Sequence, residues 1–332
     1  MNTFLLLAIG IQGAFVLLDL VEWHRRRDSA AAPPEGRGAW LFLLALIGLY
    51  FALQFGGYSL VPRTGDLLLS TRTGIARLFH LPLTDAPMNP AAVALVSVAA
   101  FYISGLWDYL LHRFFSHSRW FFFTHEYHHL PRQVTCLMPG IAGRPFAVFA
   151  VFPAMAASIA TVYALLAICR LPLWDLSVLK LLFLGILAVQ VGSHSAFLRS
   201  QGWVHLALRR LAITTPQEHV LHHSVELHGN YGNFTSLWDR LFGTYLDPRL
   251  AQHQSRVCGL AYDQDFLGTL TFGKWKLPAA WRRRFQVGRF CNLKEPDGRD
   301  QIELRPRPSQ RSHAPQDYHA VQNQITRKEN VS

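Results

Sequence analysis

The chain has 332 residues, of which 50% are hydrophobic and only 16% are charged. Soluble domains carry about 25% charged residues, so this composition excludes a typical soluble domain and indicates a membrane protein. The net charge of +11 fits basic residues that flank membrane spans, and since no nucleic-acid-binding motif is present we expect no nucleic-acid partner. The four cysteines form no CxxC pair, which excludes a disulfide framework and a zinc ribbon.

Five apolar stretches predict an all-α, multi-span membrane helix bundle, because each is near the roughly 20 residues that cross a bilayer core. The first covers residues 1–22 and is followed by arginines 25–27, the reverse of the charge order in a secretory signal peptide. The others cover residues 40–60, 91–111, 145–168 and 173–191. The last stretch contains Asp175 and Lys180, so four spans and five spans both remain open.

Three histidine motifs follow the third and fifth of these stretches, and we call them the first, second and third histidine boxes. They are an HxxxxH, an HxxHH and another HxxHH: His112 and His117; His125, His128 and His129; His219, His222 and His223. A neutral imidazole is the commonest metal-binding side chain and suits Zn, Cu, Fe and Ni. Adjacent positions diverge by roughly 100° on a helix, so one HxxHH turn can serve two metal ions.

The first box poses a geometric problem, because its histidines are five residues apart. On an ideal α-helix this spacing separates them by roughly 140°. Either the helix ends near His117 or is distorted there, or the two side chains bind different ions.

The arginines predict which face of the membrane carries the boxes. Cytoplasmic loops carry an excess of Lys and Arg, and arginines 25–27 follow the first span. Alternation of the spans then places the three boxes together in a cytoplasmic helical cap, with Arg113 and Arg132 in the same loop region. The polar connection at residues 61–90 is expected on the opposite face.

The order of the motifs resembles the fatty acid hydroxylase / sterol desaturase superfamily, whose members are integral-membrane di-iron enzymes of lipid metabolism. Asn230-Tyr231-Gly232 and the sequence WDRLFGT at residues 238–244 add to the likeness, which covers residues 91–246. The resemblance implies a monooxygenase that hydroxylates an unactivated C–H bond of a lipid from the bilayer, with lipid or sterol desaturation as the alternative. It also implies two iron ions, with zinc as a possible substitute, and a separate electron-donor protein.

The resemblance further implies a set of metal ligands. It consists of the eight box histidines and one histidine between the second and third boxes: His112, His117, His125, His128, His129, His194, His219, His222 and His223. Some members carry another histidine four residues after the equivalent of His194, but that place is Leu198 here.

Three further residues are expected beside the ligands. Asp108 lies four residues before His112, on the same helix face, where its carboxylate would accept the second ring N–H of His112 and fix the ring orientation. Asp239 either does the same or pairs with Arg240. His228, just before Asn230, is expected to support the ligands.

The motifs divide the chain into four predicted segments. Residues 1–90 hold the N-terminal spans and a loop, and residues 91–246 form the catalytic domain. Residues 247–293 form a membrane-surface extension, since aromatic residues are mixed with basic ones between Trp275 and Phe290, as in interfacial helices. Residues 294–332 are poor in apolar residues and are predicted to be a disordered tail.

Two other function classes compete with the oxygenase. His125-Glu126-x-x-His129 matches the HExxH motif of zinc metalloproteases, in which the glutamate is the base, but this interpretation leaves the first and third boxes without a role. A non-catalytic metal carrier or haem anchor is the third class. Metal content separates the three: two irons, one zinc, or an exchangeable metal.

Overall fold

A computed structural model describes residues 3–25, 36–59, 64–81, 87–138, 144–146, 148–173, 175–225, 227–250 and 258–289. Within these residues the secondary structure is helical apart from two isolated β-bridges, Ile213 with Thr235 and Ser224 with Cys258. The all-α prediction is therefore confirmed. The predicted tail at residues 294–332 lies outside the described residues.

Among the described residues, four helices are long and apolar enough to cross a membrane. They are α1 (Thr3–Arg25), α2 (Arg37–Ser59), α4 (Pro90–Leu110), which continues through a π-helical turn at Leu111–Ser116, and α6 (Val148–Ile168). The fifth predicted span is the apolar helix α7 (Ser177–Gly192), whose 16 residues extend about 24 Å against a bilayer core of about 30 Å. Four of the five predicted stretches thus form helices that could span a membrane, and the fifth forms the shorter helix α7.

The connection predicted as polar at residues 61–90 contains a helix, α3 (Thr64–Leu78). Its leucines and Ala76 pack against α6, which explains why a segment with scattered charges folds. Asn89 then starts α4, because its side chain accepts a hydrogen bond from the Ala91 N–H at 2.8 Å, with Pro90 at the first helical position.

The described helices pack in two hydrophobic clusters. One joins α3, α4, α6 and α7 through residues such as Val96, Ile159 and Leu182. The other joins α1 and α2 to the second histidine box and to the C-terminal segment, through residues that include Trp23, Tyr50, Tyr127 and Phe266.

Shorter helices complete the fold. They are α5 (Glu126–His129), α8 (Ala196–Ser200), α9 (Gly202–Arg210), α10 (Pro216–His222), α11 (Leu237–Leu241), α12 (Phe266–Leu270) and α13 (Ala279–Arg284). Two of them, α5 and α10, carry residues of the second and third histidine boxes. Residues 258–289, within the predicted surface extension, contribute to the core around Tyr50, whose hydroxyl lies 3.0 Å from Thr269 Oγ1. The predicted segment boundaries themselves stay a prediction.

Candidate metal centre

The π-helical turn resolves the five-residue spacing of the first box. In a π-helix the backbone bond runs from residue i to i+5, and here the His117 N–H donates to the His112 carbonyl at 3.1 Å. The wider turn brings both rings to one side, with their Nε2 atoms 3.3 Å apart. Of the alternatives open from sequence, the distortion of the helix is the one that the structure contains.

The third box lies on α10, whose start is strongly specified by sequence. Pro216 occupies the first helical position, and Thr215 and Glu218 form a reciprocal capping box in which each side chain accepts from the backbone N–H of the other. His219 and His222 follow within the same short helix, and His223 ends it. The second box lies on α5 and at its N-terminus, and His194 lies in the turn after α7.

The structure gathers eight of the nine predicted ligands into two groups of four. Group 1 contains His112, His117, His125 and His222; group 2 contains His128, His194, His219 and His223. Within each group one nitrogen per ring lies within 4.8 Å of the others. Each group draws on three separate parts of the chain, so only the folded protein assembles them.

The contacts within each group join Nε2 to Nε2. In group 1, His112 lies 2.9 Å from His125, and His117 lies 3.2 Å from His222. In group 2, His219 lies 2.9 Å from His194 and 3.2 Å from His223, while His194 lies 3.3 Å from His128. The rings therefore point one equivalent nitrogen each towards a common centre.

His129, the ninth predicted ligand, lies between the groups. Its ring centroid is 4.8 Å from that of His222 and 4.6 Å from that of His223. Its Nε2 is buried and has no hydrogen-bond partner among the described residues.

Backbone carbonyls fix the tautomer of three rings. The Nδ1 atoms of His112, His194 and His222 lie 2.5, 2.5 and 3.1 Å from the carbonyl oxygens of Tyr231, Gln190 and Gly229. A carbonyl only accepts, so each Nδ1 carries the single N–H of a neutral imidazole and each Nε2 presents a lone pair. The centre of each group therefore collects lone pairs.

The environment keeps these imidazoles neutral. Burial, followed by the positive charge of Arg144, lowers the pKa of His194 to about 3. Burial also lowers the pKa of His222 to about 4, and burial together with neighbouring histidines lowers the pKa values of His219 and His223. Only the neutral ring has a free lone pair for a metal ion.

This donor set fits a metal ion in each group. Buried lone pairs that face each other without an N–H between them are unfavourable unless a cation lies at their centre. Metal–nitrogen distances of 2.0–2.1 Å place neighbouring ligand atoms roughly 3.0–3.4 Å apart, close to the observed 2.9–3.3 Å.

The two predicted carboxylates support the ligands through a loop. Asp239 accepts hydrogen bonds from the N–H groups of Tyr231 and Gly232, both at 2.7 Å, and burial raises its pKa to about 6. Asp108 accepts from the backbone N–H and side-chain amide of Asn233, both at 2.8 Å. Together they hold the loop whose Tyr231 carbonyl binds His112.

Two expectations about these residues are therefore corrected. The Nδ1 of His112 bonds to the Tyr231 carbonyl, so the prediction that Asp108 accepts directly from this ring is wrong. Asp239 bonds to the loop rather than to a histidine or to Arg240, whose guanidinium lies 3.7 Å from Glu218. His228 is exposed and belongs to neither group, so its supporting role stays a prediction.

The residues around Asn230 and Trp238 fasten this loop to the helices. Asn230 has a positive φ of 52°, which asparagine tolerates better than most residues, and its amide donates to the Glu218 carbonyl of α10 at 2.9 Å. Trp238 Nε1 donates to the Tyr102 carbonyl of α4 at 2.7 Å. At Gly105 of α4 a Cβ would overlap Thr235, so this contact requires glycine.

Asp19 of α1 is a supporting residue that sequence reasoning missed. It is fully buried, and its carboxylate accepts four hydrogen bonds at 2.6–3.2 Å from one hydroxyl and three backbone N–H groups. The donors are in the loop after the second box and in the turn that follows His194: Ser195, Cys136, Ala196 and Phe197. The sequence does contain a signal for this role: Asp19 is an acidic residue inside an apolar stretch, and a carboxylate in a membrane span is costly and usually functional.

Glu126 is held by the C-terminal segment. Its Oε1 accepts hydrogen bonds from the Tyr262 hydroxyl at 2.6 Å and from the Gln264 amide at 3.2 Å. His125 and His129, the other two residues of the HExxH match, lie in group 1 and between the groups respectively.

A cavity of about 250 Å³ opens beside group 1, between α4, α6 and α7. His112, His125 and Asp108 line it on one side, and apolar side chains of α6 and α7 line the other. It leads from the histidines along the membrane-spanning helices.

Comparison with known proteins finds one family model that matches part of the chain. The model described as "Fatty acid hydroxylase" matches residues 97–244, a range that contains all nine predicted ligands. The resemblance seen in the sequence is thereby confirmed. Neither a curated protein nor a solved structure matches the chain significantly.

Proposed function

We propose that this chain, which over residues 97–244 matches the fatty acid hydroxylase family, is an integral-membrane non-haem di-iron oxygenase. Its reaction is hydroxylation of an unactivated C–H bond of a lipid, with dioxygen as oxidant and electrons from a separate donor protein. The convergence of two sets of four imidazole nitrogens, one set buried and the other partly buried, carries this proposal. The family match supports a lipid hydroxylase or desaturase, and desaturation of the lipid is the alternative outcome.

Each histidine group would hold one iron, and His129 lies where it can reach either ion. Imidazole ligands suit iron, and zinc also binds such sites readily. When bound, the irons supply the redox chemistry that dioxygen activation and C–H oxidation require.

The protein's own residues prepare this centre. The carbonyls of Gln190, Gly229 and Tyr231 orient three rings, and such hydrogen bonds are typically worth 10–100-fold in metal affinity or activity. Asp19 holds the turn that follows His194. Asp108 and Asp239 hold the loop whose Tyr231 carbonyl bonds to His112. Burial excludes water, and the cavity beside His112 gives a lipid chain access from the bilayer.

The predicted topology puts this chemistry at the cytoplasmic end of the spans. Arginines 25–27 follow α1, and Arg113, Arg119 and Arg132 lie close to the boxes along the chain, as the distribution of positive charge on cytoplasmic faces requires. A separate electron-donor protein would then approach the centre from the cytoplasm, and the lipid substrate from the bilayer.

The contacts of Glu126 favour the oxygenase over a zinc protease. In an HExxH site both histidines bind one ion and the glutamate acts as base beside it. Here the glutamate bonds to Tyr262 and Gln264, and the first and third boxes contribute half or more of the histidines in each group.

The proposal is tested by expressing the wild type and His222→Ala in the same membrane host under ¹⁸O₂ and analysing the extracted lipids. A hydroxylase gives a lipid that carries one ¹⁸O atom in the wild-type strain only. A desaturase gives an unsaturated lipid without ¹⁸O. Identical lipids in both strains, with both proteins present in the membrane and an electron donor supplied, would contradict the proposal.

A further inference from the structure

The second histidine box depends on a single helical turn. α5 has four residues, and isolated helices shorter than about 12–15 residues are only marginally stable. The histidines of this box serve different parts of the centre: His125 belongs to group 1, His128 belongs to group 2, and His129 lies between the groups. A rotation of this turn would therefore displace ligands of both groups, so contacts from elsewhere in the fold must fix its orientation.

Glu126 joins this turn to the C-terminal segment. Its side chain is buried, and its Oε1 accepts hydrogen bonds from the Tyr262 hydroxyl at 2.6 Å and from the Gln264 amide at 3.2 Å. Hydrogen bonds to a carboxylate are shorter and stronger than those between neutral groups. Tyr262 is also buried and lies 136 positions after Glu126 in the chain, so tertiary structure fixes the orientation of α5.

The same segment contacts the third box. The Gly259 N–H donates to the His223 carbonyl at 3.2 Å, and Ser224 and Cys258 form an isolated antiparallel bridge. His223 belongs to group 2. Residues 258–264, which we call the bridging segment, therefore connect the second box to the third.

The membrane helices hold the bridging segment in place. Asp265, directly after it, accepts hydrogen bonds from the N–H groups of Gly268 and Leu277 at 2.9 and 2.8 Å, and thereby caps α12. Phe266 is buried and packs against Tyr50 of α2, with ring centroids 6.1 Å apart. The segment is thus tied to α2 on one side and to the histidine boxes on the other.

We propose that the bridging segment, which lies beyond the family match at residues 97–244, is part of the metal centre, and that Tyr262 is a positioning residue that acts through Glu126 on the second box. The inference rests on the proposed function for the identity of the metal. Without the Tyr262 hydrogen bond α5 is held less firmly, and His125 and His128 spend less time where they can bind their ions. Because these two histidines belong to different groups, both irons should be bound more weakly.

The test measures the ferrous iron affinity of the full-length protein in detergent, without oxygen, by competition with a chromophoric chelator. Tyr262→Phe removes only the hydroxyl and should bind both irons about tenfold more weakly than the wild type, since residues that orient metal ligands typically contribute 10–100-fold. Tyr102→Phe is the matched control, because its hydroxyl also donates a hydrogen bond across the fold, to the Leu211 carbonyl, and it should retain the wild-type affinity. Thermal unfolding of the metal-free variants is recorded alongside, because a purely structural loss lowers stability without changing the iron affinity of the folded protein.

A double variant tests whether Tyr262 acts through Glu126. In the Glu126→Ala background the hydroxyl has lost this acceptor, so adding Tyr262→Phe should lower the iron affinity no further. If Glu126→Ala does not fold, Glu126→Gln replaces it. The amide oxygen of Gln still accepts the hydrogen bond, but more weakly than a carboxylate, so the effect of Tyr262→Phe should be smaller than in the wild type.

Wild-type iron affinity in Tyr262→Phe would overturn the proposal, and so would an equal loss in Tyr102→Phe or an undiminished effect of Tyr262→Phe in the Glu126 background used. Two irons in the wild type with unchanged affinity in Tyr262→Phe reject the positioning role alone, whereas a wild type that binds no iron rejects the proposed function.

Discussion

Asp19 connects the first span to the metal centre, and replacing it with asparagine measures that connection. The carboxylate accepts four buried hydrogen bonds. An asparagine has one oxygen, which accepts at most two of them, and its NH₂ group then faces the remaining donors. A buried donor left without a partner costs about 1–3 kcal/mol, so Asp19→Asn should lower the free energy of unfolding by about 2–6 kcal/mol.

The lost hydrogen bonds should disturb the position of His194, and therefore group 2, first. His194 lies directly before three of the four donors, Ser195, Ala196 and Phe197. We expect Asp19→Asn to unfold at lower temperature in detergent and to bind less iron than the wild type, with the deficit in group 2. Asp66→Asn is the control, since Asp66 is an exposed acid on α3 and should change neither quantity. Wild-type stability and iron content in Asp19→Asn would refute the role given to this carboxylate.

The remaining predictions concern the two groups, the protease alternative and pH. His128→Ala and His222→Ala, one from each group, should each lower the iron content and abolish lipid oxidation, as elemental analysis and lipid analysis will measure. Glu126→Gln should retain iron and lipid oxidation, because its hydrogen bonds go to the C-terminal segment; bound zinc and complete loss of activity would favour the protease. The metal-free protein should lose stability as the pH falls below about 6.5, because the histidines of the unfolded chain then take up protons. In the folded chain the pKa of His194 is about 3 and that of His222 is about 4, so these two rings stay neutral at the same pH. Denaturation at pH 7.5 and pH 5 measures this, and equal stability at both would contradict it.

Spacing in the sequence predicted eight of the nine candidate ligands, and the family resemblance added His194. The HxxHH repeats and the apolar stretches are local patterns, and the structure brings eight of the nine predicted histidines into two groups. The bond between His112 and His117 was not predictable in detail. An i to i+5 turn is less favourable than an α-helical turn, so its presence depends on packing against distant residues.

The supporting contacts were mispredicted for a similar reason. Helical spacing correctly puts Asp108 on the face of His112, but its partner Asn233 is 125 residues away in the chain. Asp19 and Tyr262 reach the centre from segments that carry no family motif. Such contacts are fixed by tertiary packing, which a local pattern does not encode.

The metal content of the purified wild-type protein tests the central claim most directly. The chain is loaded with ferrous iron in the absence of oxygen, freed of unbound metal and measured by elemental analysis against its protein concentration. Two groups of four imidazoles predict about two irons per chain. A single zinc per chain that iron loading does not displace would contradict the assignment of a di-iron centre.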